Sequence, residues 1–200
     1  MDKKRNCHPD RSGGICHSRA GGNPEKNKKN YIHLYYGNGK GKTTAALGLA
    51  LRAIGQGKKV IMLQWLKGRK EIGEFQAQKL LKNKFKIYQF GPTYFTWEKP
   101  KATEHKKLAI EGLKKLQQVV AKDKYDVLVL DEIMDAVTMK FIPKDKTLNL
   151  IKKAVKKGEV ILTGHGIDQD WLKLADLVTE MRKVKHYFDK GQSARQGIEF

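Results

Sequence analysis

Between an apolar run at 31–36 and an Ala/Leu-rich stretch at 44–54 lies Gly37-Asn38-Gly39-Lys40-Gly41-Lys42-Thr43, a turn too rich in glycine for a strand or helix interior. The order is strand, tight loop, helix. In that setting the glycines let the backbone curl so that successive N–H groups point inward, and the helix N-terminus adds partial positive charge. Lys42 supplies a full charge and Thr43 a hydroxyl for Mg²⁺ (or Mn²⁺), with Thr44 beside it in the expected ATP site. The pattern G-x-x-x-x-G-K-[ST] asks for its first glycine at position 36, where this chain has Tyr36. The glycine comes one step later, at Gly37, so the bound phosphates need not lie as they do in an ordinary ATPase.

Beyond residue 54 the chain repeats the same alternation. Gly55-Gln56-Gly57 closes the first helix, and 59–66 is a nearly continuous apolar strand. A short helix is expected at 74–81, a strand at 85–90, a loop at 91–100, and a long helix at 101–121. In that helix Leu108, Ile110, Leu113, Leu116, Val119 and Val120 recur at helical spacing. Val127-Leu128-Val129-Leu130 is a buried strand ending in Asp131-Glu132, the place where a phosphate-loop fold puts its metal-binding acid. A helix at 144–157, a strand at 159–163, a short helix at 170–174 and a strand at 177–181 complete the reading. The fold class is α/β, a three-layer P-loop (RecA-like) fold with a mostly parallel sheet and helices on both faces.

Residues 1–30 carry glycines, Pro9 and Pro24 among basic and polar residues with almost nothing to bury. They read as a disordered basic tail, leaving 31–200 as the folded domain. Cys7 and Cys16 fall in the tail, each before a histidine, in no zinc spacing. The 200-residue chain has a formal charge of +20; the tail holds eight basic and three acidic residues, so the domain keeps 33 against 18, or +15. Such a field favours anionic partners without choosing among them. The sequence offers no apolar run of membrane-spanning length and no secretory signal, so a cytoplasmic protein without a membrane partner is expected.

Nothing in the sequence marks a switch loop, an arginine finger or a kinase-type catalytic loop. The loop Phe90-Gly91-Pro92-Thr93-Tyr94-Phe95-Thr96-Trp97 instead gathers aromatics in a poor place to hide them, which suits a large flat ligand. From about residue 31 to 200 the chain resembles the P-loop class of ATP:corrinoid adenosyltransferases. The resemblance rests on seven blocks in order: 37–60 (GNGKGKTTAALGLALRAIGQGKKV), QWLKG at 64–68, FTWE at 95–98, VLDE at 129–132, LTGHG at 162–166, ADLVTEM at 175–181 and KHYFDKGQSARQGIEF at 185–200.

That resemblance implies ATP bound in the reverse sense from a hydrolase, with cob(I)alamin attacking its 5′ carbon and the whole triphosphate leaving. Gly37, Asn38, Gly39 and Gly41 would then supply loop amides, while Lys40 and Lys42 neutralise the departing triphosphate. Thr43 and Glu132 would hold Mg²⁺ with Asp131 close by, which makes Lys42 and Glu132 the catalytic pair. Arg52 either reaches the nucleotide or is a solvated helix arginine. The resemblance further assigns Phe95 and Trp97 to the lower face of the corrin, where they displace the axial ligand of cob(II)alamin and ease its reduction. It also implies a reduced flavoprotein such as flavodoxin as electron donor, and a homodimer.

One departure is His165, where relatives usually carry arginine; histidine keeps a donor but loses the permanent charge and the bidentate fork. Lys185, His186 and Arg195 lie in the matching C-terminal block, with a functional role or structural salt bridges equally open to them. Two other readings compete. One is a RecA-like or kinase-like NTPase acting on nucleic acid, and the other a basic nucleic-acid-binding module that uses ATP only structurally.

Overall fold

The computed structural model describes residues 29–93 and 102–200. Residues 94–101, with Phe95 and Trp97, and residues 1–28, with both cysteines, lie outside them. Six strands form one sheet in the order β3-β2-β4-β5-β1-β6. In chain order these are β1 (Ile32–Tyr36), β2 (Val60–Trp65), β3 (Phe85–Phe90), β4 (Val127–Asp131), β5 (Glu159–Gly164) and β6 (Leu177–Glu180). Every pairing is parallel, so the expected mostly parallel sheet is wholly so among the described residues.

Helices cover both faces, as alternation along each strand requires. On one side α1 (Lys42–Gly55) and α2 (Gly73–Leu81) pack over Val60, Met62, Phe85, Ile87, Val127, Val129 and Ile161. Ala46 and Ala50 are the fully buried residues of α1, and their small side chains let the helix axis, and the loop before it, lie close to the sheet. The other side carries α3 (Ala102–Lys122), α4 (Ile133–Thr138), α5 (Lys144–Ala154) and α6 (Gln169–Leu174) over the alternate residues Ile61, Leu63, Trp65, Leu128, Leu130, Val160 and Leu162. Gly112 of α3 faces Trp65, where a Cβ would come within 2.7 Å of the indole nitrogen, and that nitrogen donates to the Ala109 carbonyl at 3.1 Å. The end of β2 is thereby fixed.

Two elements differ from the sequence reading. Residues 133–138 form a helix, α4, because Ile133, Met134, Ala136 and Val137 all find core contacts within one and a half turns of Asp131-Glu132. The helix expected to run to 157 stops at Ala154, and Gly158 follows where a Cβ would meet the Asp126 carbonyl oxygen at 2.7 Å.

Candidate nucleotide and cation site

A parallel sheet delivers all its carboxyl ends to one edge, and ligands settle where the strand order reverses. Here β5 lies between β1, which ends in the glycine loop, and β4, which ends in Asp131. Thr163, near the end of β5, joins them: its hydroxyl donates to Asp131 Oδ1 at 2.7 Å and accepts the Glu132 amide at 2.8 Å. Thr43, in the first turn of α1, donates to the same Oδ1 at 2.9 Å. Asp131 Oδ2 receives Gln64 Nε2 at 3.2 Å and Lys67 Nζ at 2.8 Å. Asp131 is fully buried yet has four donors, which is what a buried carboxylate needs to remain charged.

Local backbone geometry aims the flanking residues. Leu66 after β2 and Glu132 after β4 both adopt left-handed φ, 60° and 58°, a conformation that costs a non-glycine residue on the order of 1–2 kcal/mol. The polar side chains at these strand ends, Lys67 after Leu66 and Glu132 itself, both line the cavity over the sheet edge. Lys67 Nζ lies 3.2 Å from Thr43 Oγ1 and 3.6 Å from Glu132 Oε1, in addition to its bond to Asp131. Burial alone would disfavour the charged lysine, but Asp131 and Glu132 outweigh it and hold Lys67 above the ordinary lysine value. Burial likewise works against Asp131 ionisation, and Lys67 with the Thr163 and Thr43 hydroxyls reverses that. Glu132 has no such set of donors: burial, with Asp131 and Asp135 nearby, pushes its carboxyl up to about 7 against the pull of Lys67 and His165.

The loop itself is pressed onto the segment after β6. A Cβ on Gly37 or Gly39 would meet the Met181 carbonyl oxygen at 2.5 or 2.6 Å, and Gly37 and Gly41 have φ of 114° and 119°. Only glycine fits these positions. The Gly37 amide donates to the His165 carbonyl at 3.1 Å and the Gly39 amide to the Met181 carbonyl at 2.6 Å, while Asn38 Oδ1 accepts the Lys183 amide at 2.9 Å. Lys42 Nζ folds back onto the Gly37 and Gly39 carbonyls, at 2.7 and 2.9 Å. Burial holds it below the ordinary lysine value despite Asp135 and the Asp131-Glu132 pair.

A cavity of about 590 Å³ opens over this edge, lined by Lys40, Gly41, Lys42, Thr43, Thr44, Lys67, Glu132, His165 and His186. Its far wall is apolar, from Leu47, Ala50, Leu51 and Ile54 of α1 and Ala77 and Leu81 of α2. The last four residues, Gly197 to Phe200, close another side. Lys40 Nζ donates to the Ile198 carbonyl at 3.3 Å, and the Arg69 guanidinium lies 5.1 Å from the Phe200 ring centre. His165 Nδ1 lies 3.1 Å from Asp135 Oδ2, and its backbone amide donates to Asp135 Oδ1 at 3.0 Å. The Asp135 hydrogen bond raises the imidazole above its ordinary value, against burial and Lys42.

The sequence-read residues therefore divide. Lys40, Gly41, Lys42, Thr43, Thr44, Glu132, His165 and His186 converge on one cavity, and Asp131 sits directly beneath it. Gly37, Asn38 and Gly39 shape the loop from behind, through contacts to the 181–183 segment. Arg52 is exposed in the last turn of α1, off the cavity wall. Lys185 is exposed, and Arg195 pairs with Glu199, Nη2 to Oε1 at 3.2 Å, with its guanidinium 4.9 Å from the Tyr187 ring centre. Lys67, Thr163, Gln64 and Asp135 were not singled out from the sequence. Lys67 does fall in the QWLKG block, but it becomes conspicuous only once β2 and β4 are neighbours.

The groups around the Lys67 ammonium are the oxygens of a hydroxyl and two carboxylates, already arranged about a positive charge, which suits a hard divalent cation such as Mg²⁺. Among the described residues, no helix is long and apolar enough to cross a membrane.

Residues 28–200 match the model of the family described as ATP:corrinoid adenosyltransferase BtuR/CobO/CobP. A corrinoid adenosyltransferase of Escherichia coli (strain K12) is 35% identical over 175 residues, covering 88% of each chain. The corrinoid adenosyltransferase CobA of Salmonella typhimurium (strain LT2) is 36% identical over 173 residues, 86% of this chain and 87% of its own. A further corrinoid adenosyltransferase, from Pseudomonas aeruginosa, is 31% identical over 175 residues, 88% of this chain and 86% of its own.

Proposed function

This chain belongs to the ATP:corrinoid adenosyltransferase family, and on that premise we propose how its site performs the transfer of the 5′-deoxyadenosyl group of ATP to corrinoid cobalt. The observation that carries the reading is the convergence of Lys40, Lys42, Thr43, Lys67, Glu132 and His165 on one cavity, where a polyphosphate would meet four basic side chains. The electron pair of cob(I)alamin attacks C5′, the cobalt–carbon bond forms, and the C5′–O bond breaks with its electrons leaving on the triphosphate. Lys42 lets go of the Gly37 and Gly39 carbonyls to meet that charge, and Lys40 and His165 flank it. Holding the two reactants in line is worth on the order of 7–11 kcal/mol.

Thr43, Glu132 and Asp131 would hold Mg²⁺, with Asp131 Oδ1 also fixing the Thr43 hydroxyl. The ion would supply charge stabilisation to the phosphates. Glu132 lies 3.6 Å from Lys67 and serves as a ligand rather than as a base for water, which sets the reading apart from an NTPase. Phe95 and Trp97 would take the lower face of the corrin; they follow Gly91 in the sequence, and the Gly91 backbone packs on Leu66 and Gly68 beside Lys67. The basic domain favours an acidic electron donor such as a reduced flavoprotein of the flavodoxin kind. A homodimer in the cytoplasm, with an N-terminal tail of about thirty residues outside the 31–200 domain, completes the proposal.

The test supplies ATP, Mg²⁺ and chemically reduced cob(I)alamin, and follows both the corrinoid spectrum and the phosphates. A light-sensitive alkylcobalamin with intact triphosphate is the expected result. Orthophosphate without alkylated corrinoid would return the reading to an NTPase. Trp97→Ala should impair turnover from cob(II)alamin at least about tenfold more than turnover from cob(I)alamin, an extra barrier of about 1.4 kcal/mol; equal losses would remove the aromatic role.

A further inference from the structure

We propose that Lys67 is a tethered counter-ion that keeps the divalent-cation site closed until a polyphosphate arrives, so that metal and nucleotide load together. This rests on the reading that Thr43, Asp131 and Glu132 form the cation site. The Lys67 ammonium lies 2.8 Å from Asp131 Oδ2, 3.2 Å from Thr43 Oγ1 and 3.6 Å from Glu132 Oε1, the same three side chains assigned to the cation. A divalent ion bonds oxygens at about 2.0–2.6 Å, so an ion held by this set would have to share the volume the ammonium fills. Two cations do not share such a space. One must leave.

The ammonium has a route out but, without an anion, no destination. Its side chain is 25% exposed and borders the cavity. That cavity already carries Lys40, Lys42 and His165, so moving Lys67 into it gathers like charges. A polyphosphate among those groups reverses the sign, and Lys67 then exchanges carboxylate for phosphate while the metal takes the carboxylates. The backbone need not follow. Leu66 pins one side with its left-handed turn, and Gly68 is backed by the Gly91 carbonyl, which a Cβ there would meet at 2.0 Å. Asp131 keeps the Thr43, Thr163 and Gln64 donors after Lys67 departs. Lys67 is thus a positioning residue acting on the order of loading.

The experiment titrates Mn²⁺ into the purified full-length protein without nucleotide and reads protein-retained ion by electron paramagnetic resonance. Lys67→Gln should bind Mn²⁺ at least about tenfold more tightly than wild type. Inorganic triphosphate should raise Mn²⁺ retention strongly in wild type and much less in the variant. Equal Mn²⁺ affinity for wild type and Lys67→Gln, with both abolished by an added Glu132→Gln, would leave the cation site standing and overturn the counter-ion role. Retention indifferent to Glu132→Gln would overturn both. Should Lys67→Gln fold only with metal present, that dependence itself supports the exchange. Lys67→Arg, which keeps the charge, should then bind Mn²⁺ no more tightly than wild type, and tighter binding would overturn the proposal.

Discussion

At the amino ends of the strands, Asp176 accepts the Ile32 amide at 2.9 Å, Asp126 the Lys59 amide at 2.9 Å and Glu159 the Tyr31 amide at 3.1 Å. At the carboxyl ends, Asp131 is surrounded by Thr43, Thr163, Gln64 and Lys67, all of them side chains. The residue type is shared and the use is opposite. A carboxylate that holds a backbone amide ties down the entry of a distant strand, and its partner cannot leave without moving that backbone. A carboxylate held by side chains keeps its charge while its partners remain exchangeable. The sheet thus separates an edge tied to backbone amides from one built of exchangeable side-chain partners, using the same functional group.

The sharpest test of that division is Lys42→Ala. Turnover of chemically reduced cob(I)alamin should fall at least about a thousandfold, close to ~4 kcal/mol of lost transition-state stabilisation, with an unchanged melting profile. Retention within about tenfold would remove the charged edge from the chemistry. Next comes Asp131→Asn, which strands Lys67 beside a neutral amide and should cost about 3 kcal/mol in denaturant unfolding. A loss no larger than that of Glu159→Gln would erase the contrast between the edges.

His165 sharpens the comparison through pH. Because the Asp135 hydrogen bond raises its pKa, the imidazolium persists past the ordinary value of about 6.5 and is lost as pH climbs through the raised one. Activity should therefore fall with rising pH, with a midpoint above that of an isolated histidine. Asp135→Asn should move the fall to lower pH, and His165→Gln should flatten it at about tenfold lower activity. Identical flat profiles in all three proteins would end the role of His165. The smallest effect belongs to the amino edge: Glu159→Gln should lower stability by about 0.5–1 kcal/mol and leave turnover within about twofold.

Much of this was legible in the residues themselves. Glycine runs and apolar runs are local signals, so the glycine loop, the strand before Asp131 and the helices on both sides could be read one segment at a time. What escaped depends on which strands become neighbours. Lys67 is one of 41 basic residues and has no local mark; its importance arises because β2 pairs with β4 in the register Gln64 to Asp131. Gly37 and Gly39 read as phosphate glycines, yet their crowding comes from Met181, far along the chain. The α4 helix is six residues long, too short for periodicity to declare. Gly197 to Phe200 form a cavity wall that a terminal tetrapeptide does not announce.

The placement of β1 also bears on how the molecule is made. Among the described strands it comes first along the chain, yet its neighbours are β5 and β6, with His33 opposite both Ile161 and Leu177. The glycine loop leaves the ribosome well before the residues it packs on. Until residues near Met181 emerge, the Gly39 amide has not met the carbonyl that shapes the loop. Pairings of such long sequence separation form late. On the proposed reading, ATP would gain its site only once residues near Met181 have been made, and would then stabilise the folded domain over shorter nascent fragments by mass action.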